Sequence, residues 1–196
     1  MKADVDKLYV KDSTVTGYSA LNAWSSDYTA IFEDCTLNGV NNYGYSEAKD
    51  NDFGTIVING NNITVDLKNC EMNATSANGN GQSIVLFNGM EDVKDCTVSI
   101  TGDESRAVYP GDFCVNGSEN NTVTISGGIY CSDVSGYLAS GYTVAKNDDD
   151  TCTVTKKTQT QLFDQIVVLR GKTPWLFAAV DSLDYNDAGF ILKLDT

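Results

Sequence analysis

The hydrophobic and polar positions of this chain recur in a short phrase that appears four times, with a looser fifth copy. Each of the four has an apolar residue, a charged residue, Asp or Asn, Ser or Cys, Thr or Glu, and a second apolar residue. The copies read VKDSTVTG from Val10, FEDCTLNG from Phe32, LKNCEMNA from Leu67, VKDCTVSI from Val93 and ISGGIYCS from Ile125. Their irregular spacing is typical of a coiled solenoid, in which strands and turns stack while the connecting loops vary in length.

The two apolar positions of each copy are expected to face one interior, because side chains alternate between the two faces of a strand. Equivalent positions should therefore stack in two columns. The first column is predicted to contain Phe32, Leu67 and Val93, and the second Leu37, Met72 and Val98. Further strands are predicted between the copies, at residues 55–58, 63–65 and 83–87.

The pattern changes after residue 136 to that of a β-hairpin. Residues 142–145 and 151–155 flank an Asn/Asp turn, and the hairpin should cover the last turn of the solenoid. Beyond a polar linker, strands are predicted at 163–169, 175–180 and 189–194. We therefore expect a solenoid with a capping hairpin over residues 1–156. A small β module, truncated or packed on something else, should occupy 157–196.

Composition narrows the classes of function. The chain has 196 residues, a net charge of −14 and no His. The acidity disfavours nucleic acid and anionic membranes as partners, since both would repel the protein. The lack of His removes a Ser–His–Asp triad and His metal ligands. No apolar run is long enough to insert in a membrane, and the polar start suggests a segment excised from a larger protein.

The phrases resemble right-handed parallel β-helix domains of the pectate-lyase-like kind, found in secreted surface proteins of Gram-positive bacteria. The run ISGGIYCSDVSGYLASGYTVAKNDDDTCTVT is similar to the terminal turn and capping hairpin of such domains. The tail VDSLDYNDAGFILKL looks like a short β-rich module that follows them. The resemblance implies an all-β fold and an extracellular location at the bacterial cell surface. It carries over no catalytic motif.

Five cysteines have predicted roles. Cys35, Cys70 and Cys96 occupy the same slot of the phrase and should form an inward ladder of small side chains. A thiolate metal site is the alternative, but the C-x₂-C pairs of zinc sites are missing. Cys131 and Cys152 are candidates for a disulfide that would clip the hairpin onto the last turn, worth roughly 3 kcal/mol.

The slot before the ladder holds Asp12, Asp34, Asn69 and Asp95. A column of carboxylates could bind Ca²⁺, which requires six to eight oxygen ligands. Asp and Asn also tolerate unusual backbone angles in turns, and this explanation is favoured. The sequence therefore predicts no cofactor and gives Ca²⁺ no support.

Aromatic residues between the repeated strands are the candidates for carbohydrate contact, since sugar faces pack on aromatic rings. Alternatively, they close the loops onto the solenoid wall. The candidates are Trp24, Tyr28, Tyr43, Tyr45, Phe53 and Tyr109.

A catalytic role has weaker signals. A polysaccharide lyase needs a base and a cation that stabilises the developing negative charge. Arg106 is the only arginine in the predicted solenoid and neighbours Asp103 and Glu104. Five carboxylates near the repeated strands are possible bases, but 27 acidic residues make such pairs common by chance. They are Glu33, Asp34, Asp66, Glu71 and Asp95.

The sequence thus favours a non-catalytic extracellular binding or structural module of an adhesin-like protein. Its partner would be carbohydrate or another surface protein. A β-helix carbohydrate-active enzyme is the first alternative. The second is a subunit of an extracellular filament or oligomer, which would self-associate through the C-terminal module.

Overall fold

A computed structural model describes residues 6–41, 54–76, 83–87, 93–107, 115–116, 120–157, 180–186 and 189–194. The fold class is all-β. The chain divides into two compact units, Met1–Lys156 and Lys157–Thr196. This division falls at the residue where the sequence analysis places its boundary. No helix in the described ranges is long and apolar enough to cross a membrane.

In the described part of the first unit, the chain forms short strands and one 3₁₀ turn, Ser135–Tyr137. Most strands have three to six residues, which suits a chain rich in Asn, Thr and Gly. The strands are β1 Lys7–Lys11, β2 Thr14–Gly17, β3 Leu21–Ala23, β4 Tyr28–Glu33, β5 Thr36–Asn41, β6 Gly54–Ile58, β7 Ile63–Lys68, β8 Glu71–Ser76, β9 Ser83–Phe87, β10 Thr97–Thr101, β11 Arg106–Ala107, β12 Val115–Asn116, β13 Thr122–Ser126, β14 Gly128–Tyr130, β15 Tyr142–Lys146 and β16 Cys152–Lys156.

The first fourteen strands are distributed over three parallel sheets. The first sheet has the order β1-β4-β7-β10-β13, the second contains β2-β5-β8-β11-β14, and the third contains β3-β6-β9-β12. Consecutive strands thus belong to different sheets, and each strand from β1 to β11 pairs with the strand three places further along. Parallel neighbours need a long crossover connection. Here the two intervening strands supply it.

The core lies on the inner faces of these sheets, where apolar residues stack in register. In the first sheet Phe32 lies opposite Leu67, and Leu67 lies opposite Ile100. In the second sheet Leu37 lies opposite Met72. All five side chains are at most 1% exposed. Strand β7 alternates buried and accessible positions, as expected for one face on the core and one on solvent.

The fourth copy of the phrase lies elsewhere than the sequence pattern suggests. Val93 precedes β10 and does not join the Phe32–Leu67 column, where Ile100 takes the next place. Val98 lies opposite Val65 in the first sheet instead of following Met72 in the second. The expectation for both valines is therefore corrected, although both are buried.

Two kinds of corner explain the correction. The first three copies span the connection from a first-sheet strand to the next second-sheet strand, which we call the first corner. The fourth copy spans the connection from the third sheet to the first sheet, which we call the third corner. The same short phrase therefore serves two different corners.

Both corners use a residue in the left-handed region of backbone conformation. Asp and Asn adopt this region more readily than other side chains, because their short polar groups hydrogen-bond locally. The first corner has Asp12, Asp34 and Asn69, and the third corner has Asp27, Asn62 and Asp95, all with φ between 48° and 59°. The unusual backbone angles expected for the Asp or Asn of each repeated phrase are present. Asp95, in the fourth copy, lies at the third corner.

The first-corner column continues with Gly102, whose φ is 94°. The amide of Gly102 donates to the carbonyl of Ser126, as the amide of Asn69 donates to that of Thr101. A Cβ atom at Gly102 would overlap the side chain of Asn69. Glycine therefore continues the turn where the neighbouring strand's Asn leaves no room for a side chain.

The predicted hairpin is present as β15 and β16, which pair antiparallel. Its turn is closed by the Asn147 amide, which donates to the Thr151 carbonyl at 2.7 Å. Strand β16 also pairs antiparallel with β14, so that the hairpin covers the edge of the second sheet. Val154 is 1% exposed and joins the core. Covering the edge removes a row of unpaired backbone groups.

In the second unit, strands β17 Val180–Asn186 and β18 Gly189–Leu194 form an antiparallel pair. The predicted strand at 189–194 is confirmed. Of β17, only Val180 was predicted to be in a strand. The predicted strand at 163–169 and residues 175–179 of the next one lie outside the described residues.

Replacing Leu67 with Ala should lower the free energy of unfolding by about 2–5 kcal/mol, because the cavity would interrupt the stacked column. Urea denaturation measures the change. The exposed Lys94→Ala variant is the control and should stay within about 0.5 kcal/mol of the unsubstituted protein. A loss below about 1 kcal/mol for Leu67→Ala would contradict the stacked core.

The corner conformation can be tested at Asp95, which is exposed and has a φ of 59°. Asp95→Val should unfold about 1–2 kcal/mol more easily than Asp95→Gly, because a β-branched residue is strained in the left-handed region. Equal stability of the two variants would show that this position does not require a positive φ.

Candidate functional site

An open cleft with a volume of about 360 Å³ lies at the first corner. Three successive passages of the chain contribute to it, at residues 34–36, 69–71 and 104–106. The left-handed residues turn the chain sharply, so that a Cys or Ser points inward and its polar neighbours remain accessible. We call this site the corner cleft. It is lined by Asp34, Cys35, Thr36, Asn69, Glu71, Glu104 and Arg106.

Strand register aligns three of the lining residues. Thr36, Glu71 and Arg106 are the first residues of β5, β8 and β11, and Glu71 lies opposite both of the others. Parallel neighbours are about 4.8 Å apart. The three side chains therefore form one row across neighbouring strands on the accessible face of the second sheet.

The charges in the corner cleft are only partly paired. Arg106 lies opposite Glu71, yet no carboxylate among the described residues is within 4.0 Å of its guanidinium. Glu71 Oε1 instead accepts a hydrogen bond from Asn73 Nδ2 at 2.9 Å. Lys11 Nζ is 3.8 Å from Asp34 Oδ2. Within the described ranges, no ion pair or side-chain hydrogen bond engages the Arg106 guanidinium, which carries five N–H donors.

Buried thiols lie beneath the cleft. Cys35 Sγ donates to the Glu33 carbonyl at 3.2 Å, and Cys70 Sγ donates to the Lys68 carbonyl at 3.4 Å. Burial raises the pKa of Cys70 to about 11, so this side chain stays a neutral thiol. Neutral buried thiols are poor nucleophiles and poor metal ligands, which makes Cys70 a packing residue of this column.

The cysteine ladder is shorter than expected. Cys35 and Cys70 lie in one column, and Ser105 takes the next place, where the Arg106 amide donates to the Cys70 carbonyl. Cys96 lies at the third corner, where its Sγ donates to the Gly60 carbonyl at 3.3 Å. This position corrects the expectation that all three cysteines share one column.

A compact network surrounds Glu33 on the outer face of the first sheet. Tyr9 Oη donates to Glu33 Oε2 at 2.8 Å, and Lys68 Nζ donates to Oε1 at 3.0 Å. Lys11 Nζ is 3.4 Å from Oε1. The hydrogen bonds from Lys68 and Tyr9 lower the pKa of Glu33 to about 2. Glu33 is therefore ionised at neutral pH and is unsuited to donate a proton as a general acid.

Two of the six aromatic candidates are described, and they lie near the third corner. Trp24 follows β3 and is 64% exposed. Tyr28 begins β4 and packs partly against the core, and burial raises its pKa. Close to Trp24, Asn59 Nδ2 donates to Asn22 Oδ1 at 2.6 Å. The other four candidates lie outside the described residues: Tyr43, Tyr45, Phe53 and Tyr109.

The predicted disulfide between Cys131 and Cys152 is not formed in the structure, where Cys152 is a free, buried thiol. Strand register places Cys152 opposite Tyr130, the residue that precedes Cys131. The two cysteines are thus near one another in the strand pairing but not directly opposed. The bridge stays a prediction.

Sequence reasoning found part of the corner cleft. It singled out Arg106 but did not connect that residue with Thr36 and Glu71. The signal was present in the segment ITGDESRA, a degenerate copy in which Ser105 takes the place of Cys70 and Arg106 that of Glu71. Gly102 in the turn and two additional residues, Asp103 and Glu104, obscured the match with the other copies.

Comparison of the chain with models of protein families, with curated proteins and with solved structures finds no match. Within the described residues, no group of three or more Cys, Asp or Glu side chains is placed to hold a metal ion. The corner cleft and the exposed indole of Trp24 are therefore the features that indicate a function.

The network around Glu33 predicts a specific dependence of stability on pH. Because the pKa of Glu33 is lowered from 4.5 to about 2 on folding, its ionised form stabilises the native state above pH 4.5. This contribution should disappear as the pH falls toward 2. The difference in unfolding free energy between the unsubstituted protein and Glu33→Gln should shrink across that window. The Tyr9→Phe variant, which lacks one donor, should show a smaller change. A difference that is constant with pH would contradict the network.

Proposed function

We propose that residues 1–156 form a right-handed parallel β-helix that acts as a non-catalytic binding module of a bacterial cell-surface protein and contacts carbohydrate. The recurrence of every third strand in the same sheet supports the helical coil. Crossover connections between parallel strands are right-handed in nearly all proteins, which supports the handedness.

The corner cleft is the observation that carries the proposed binding function. It is open to solvent and combines carboxylate, amide, hydroxyl and guanidinium groups. Sugar hydroxyls both donate and accept hydrogen bonds, so a ligand of this class could use both kinds of partner. Arg106 supports binding most directly, because its donors are not taken up by a described carboxylate.

The exposed indole of Trp24 supports the same function at another corner. A ring that is 64% exposed can pack against the apolar face of a sugar. The exposed amide of Asn22, two residues before Trp24, is held by Asn59 and offers a polar partner. Aromatic rings combined with amide groups at one surface favour ligands that have both apolar and hydroxyl-bearing faces.

A carbohydrate-active enzyme is the second candidate, favoured by the position of Arg106 opposite Glu71. Catalysis would require a carboxylate that gives or takes a proton and a cation that stabilises developing charge. The carboxylate of Glu33 is engaged by three neighbours and strongly acidic, which argues against its use. Binding without turnover is therefore the favoured function.

Binding of the full chain to immobilised neutral, acidic and amino polysaccharides tests the proposal. We expect retention on at least one polysaccharide, and Arg106→Ala should weaken it about tenfold, the effect of losing a charged hydrogen-bond donor. Lys146→Ala removes an exposed cation far along the chain and should leave binding unchanged. Failure to bind any polysaccharide would overturn the proposal.

The same panel separates a binding module from an enzyme. Release of reducing ends or of unsaturated products is measured after prolonged incubation with each polysaccharide. A binding module should give none. Turnover that disappears in Arg106→Ala would establish the second candidate in place of the first.

A further inference from the structure

The corner cleft has a surplus of negative charge. Three carboxylates line it, from Asp34, Glu71 and Glu104, against the one guanidinium of Arg106. The whole chain carries a net charge of −14, which adds to the local field. A cleft lined mainly by one sign of charge concentrates ligands of the opposite sign. Electrostatics therefore favours a ligand with a positive group and disfavours uronic acids.

Part of this charge has no partner among the residues that the structure describes. Among the described residues, no ion pair or side-chain hydrogen bond involves Glu104, which is exposed. Glu71 Oε1 accepts from Asn73 Nδ2, and no described side chain bonds to the second carboxylate oxygen of Glu71. Asp34 differs, because Asn69 Nδ2 donates to it at 3.3 Å and Lys11 lies nearby. The available acceptors are therefore those of Glu71 and Glu104.

Arg106 requires that the ligand also carries acceptors. Its guanidinium has donors only and lies in the same row as Glu71. A ligand with amines alone would place like charges beside Arg106 and leave its donors unused. The ligand must therefore combine a cationic amine with oxygen acceptors on a small frame. The cleft volume of about 360 Å³ lies at the lower end of the range for small-molecule sites.

We propose that the corner cleft binds amino sugars, the hexose units of a polysaccharide that carry a free, protonated amine. The amine is bound by the carboxylates of Glu71 and Glu104, and the neighbouring hydroxyl oxygens accept from Arg106. Thr36 and Asn69 are placed to bond further hydroxyls. This assignment rests on the proposed carbohydrate function and adds the chemical class of the sugar.

The test uses two tetrasaccharides that differ only in N-acetylation, which removes the positive charge of each amine. They are β-1,4-linked glucosamine and its N-acetylated form, titrated calorimetrically into the full chain. The glucosamine tetramer should bind at least about fivefold more tightly than the neutral form. Glu71→Gln and Glu104→Gln should each weaken it about two- to fivefold, as expected for one exposed ion pair. Unfolding midpoints of all variants are measured to exclude loss of fold.

Asp103→Asn is the matched control. Asp103 is exposed on the same turn as Glu104 but does not line the cleft. This variant loses the same charge and should keep the affinity of the unsubstituted protein. Equal weakening by Asp103→Asn and Glu104→Gln would show that net charge alone attracts the ligand, and would overturn the site.

The remaining outcomes separate this inference from the proposed function. If the N-acetylated tetramer binds as tightly, and Arg106→Ala weakens it, the amino-sugar assignment fails while carbohydrate binding stands. If neither tetramer binds but another polysaccharide does, the assignment fails in the same way. If no carbohydrate binds, both proposals fail. If tetralysine binds more tightly than glucosamine with the same variant profile, a basic peptide replaces the sugar as the ligand class.

Discussion

The sheets of this protein depend on a backbone constraint at the first and third corners. At each of these corners, one residue adopts a positive φ. Asp34 and Asn69 meet this constraint at the first corner, and Asn62 and Asp95 meet it at the third. The amide of each left-handed residue donates to a carbonyl of the following passage of chain, as Asp34 does to Lys68. Local conformation and pairing between strands are thereby fixed together. A shift of one residue would turn apolar side chains away from the core.

The corner cleft follows from the same constraint. At the first corner, Asp34 and Asn69 turn the chain sharply, so that the residue after each of them is buried and the next one begins a second-sheet strand. Cys35 and Cys70 fill the inner positions, and Thr36 and Glu71 begin the strands. Strand register places Arg106 in the same row, opposite Glu71. The row across the cleft thus contains one side chain from each passage of the chain.

Electrostatic interactions differ on the two sides of the first corner. On the first sheet, Glu33 is held by Tyr9, Lys11 and Lys68, so that its charge is balanced locally. On the second sheet, Arg106 and Glu104 have no such partners among the described residues. Balanced charges stabilise a surface without offering binding capacity. Unbalanced charges at an open cleft leave part of their interaction free energy available to a ligand.

The sequence by itself determined the all-β class, the hairpin at 142–155 and the stacking of Phe32 on Leu67, because side-chain alternation and turn chemistry are local properties. It did not determine which corner each phrase occupies, since Asp or Asn in the left-handed region suits both corners equally. Only tertiary register placed Val98 opposite Val65 and Cys96 away from Cys70. Register also brought Arg106 beside Glu71. The corner cleft joins residues about 70 positions apart, and their proximity depends on how many residues each intervening passage contains, which no local pattern specifies.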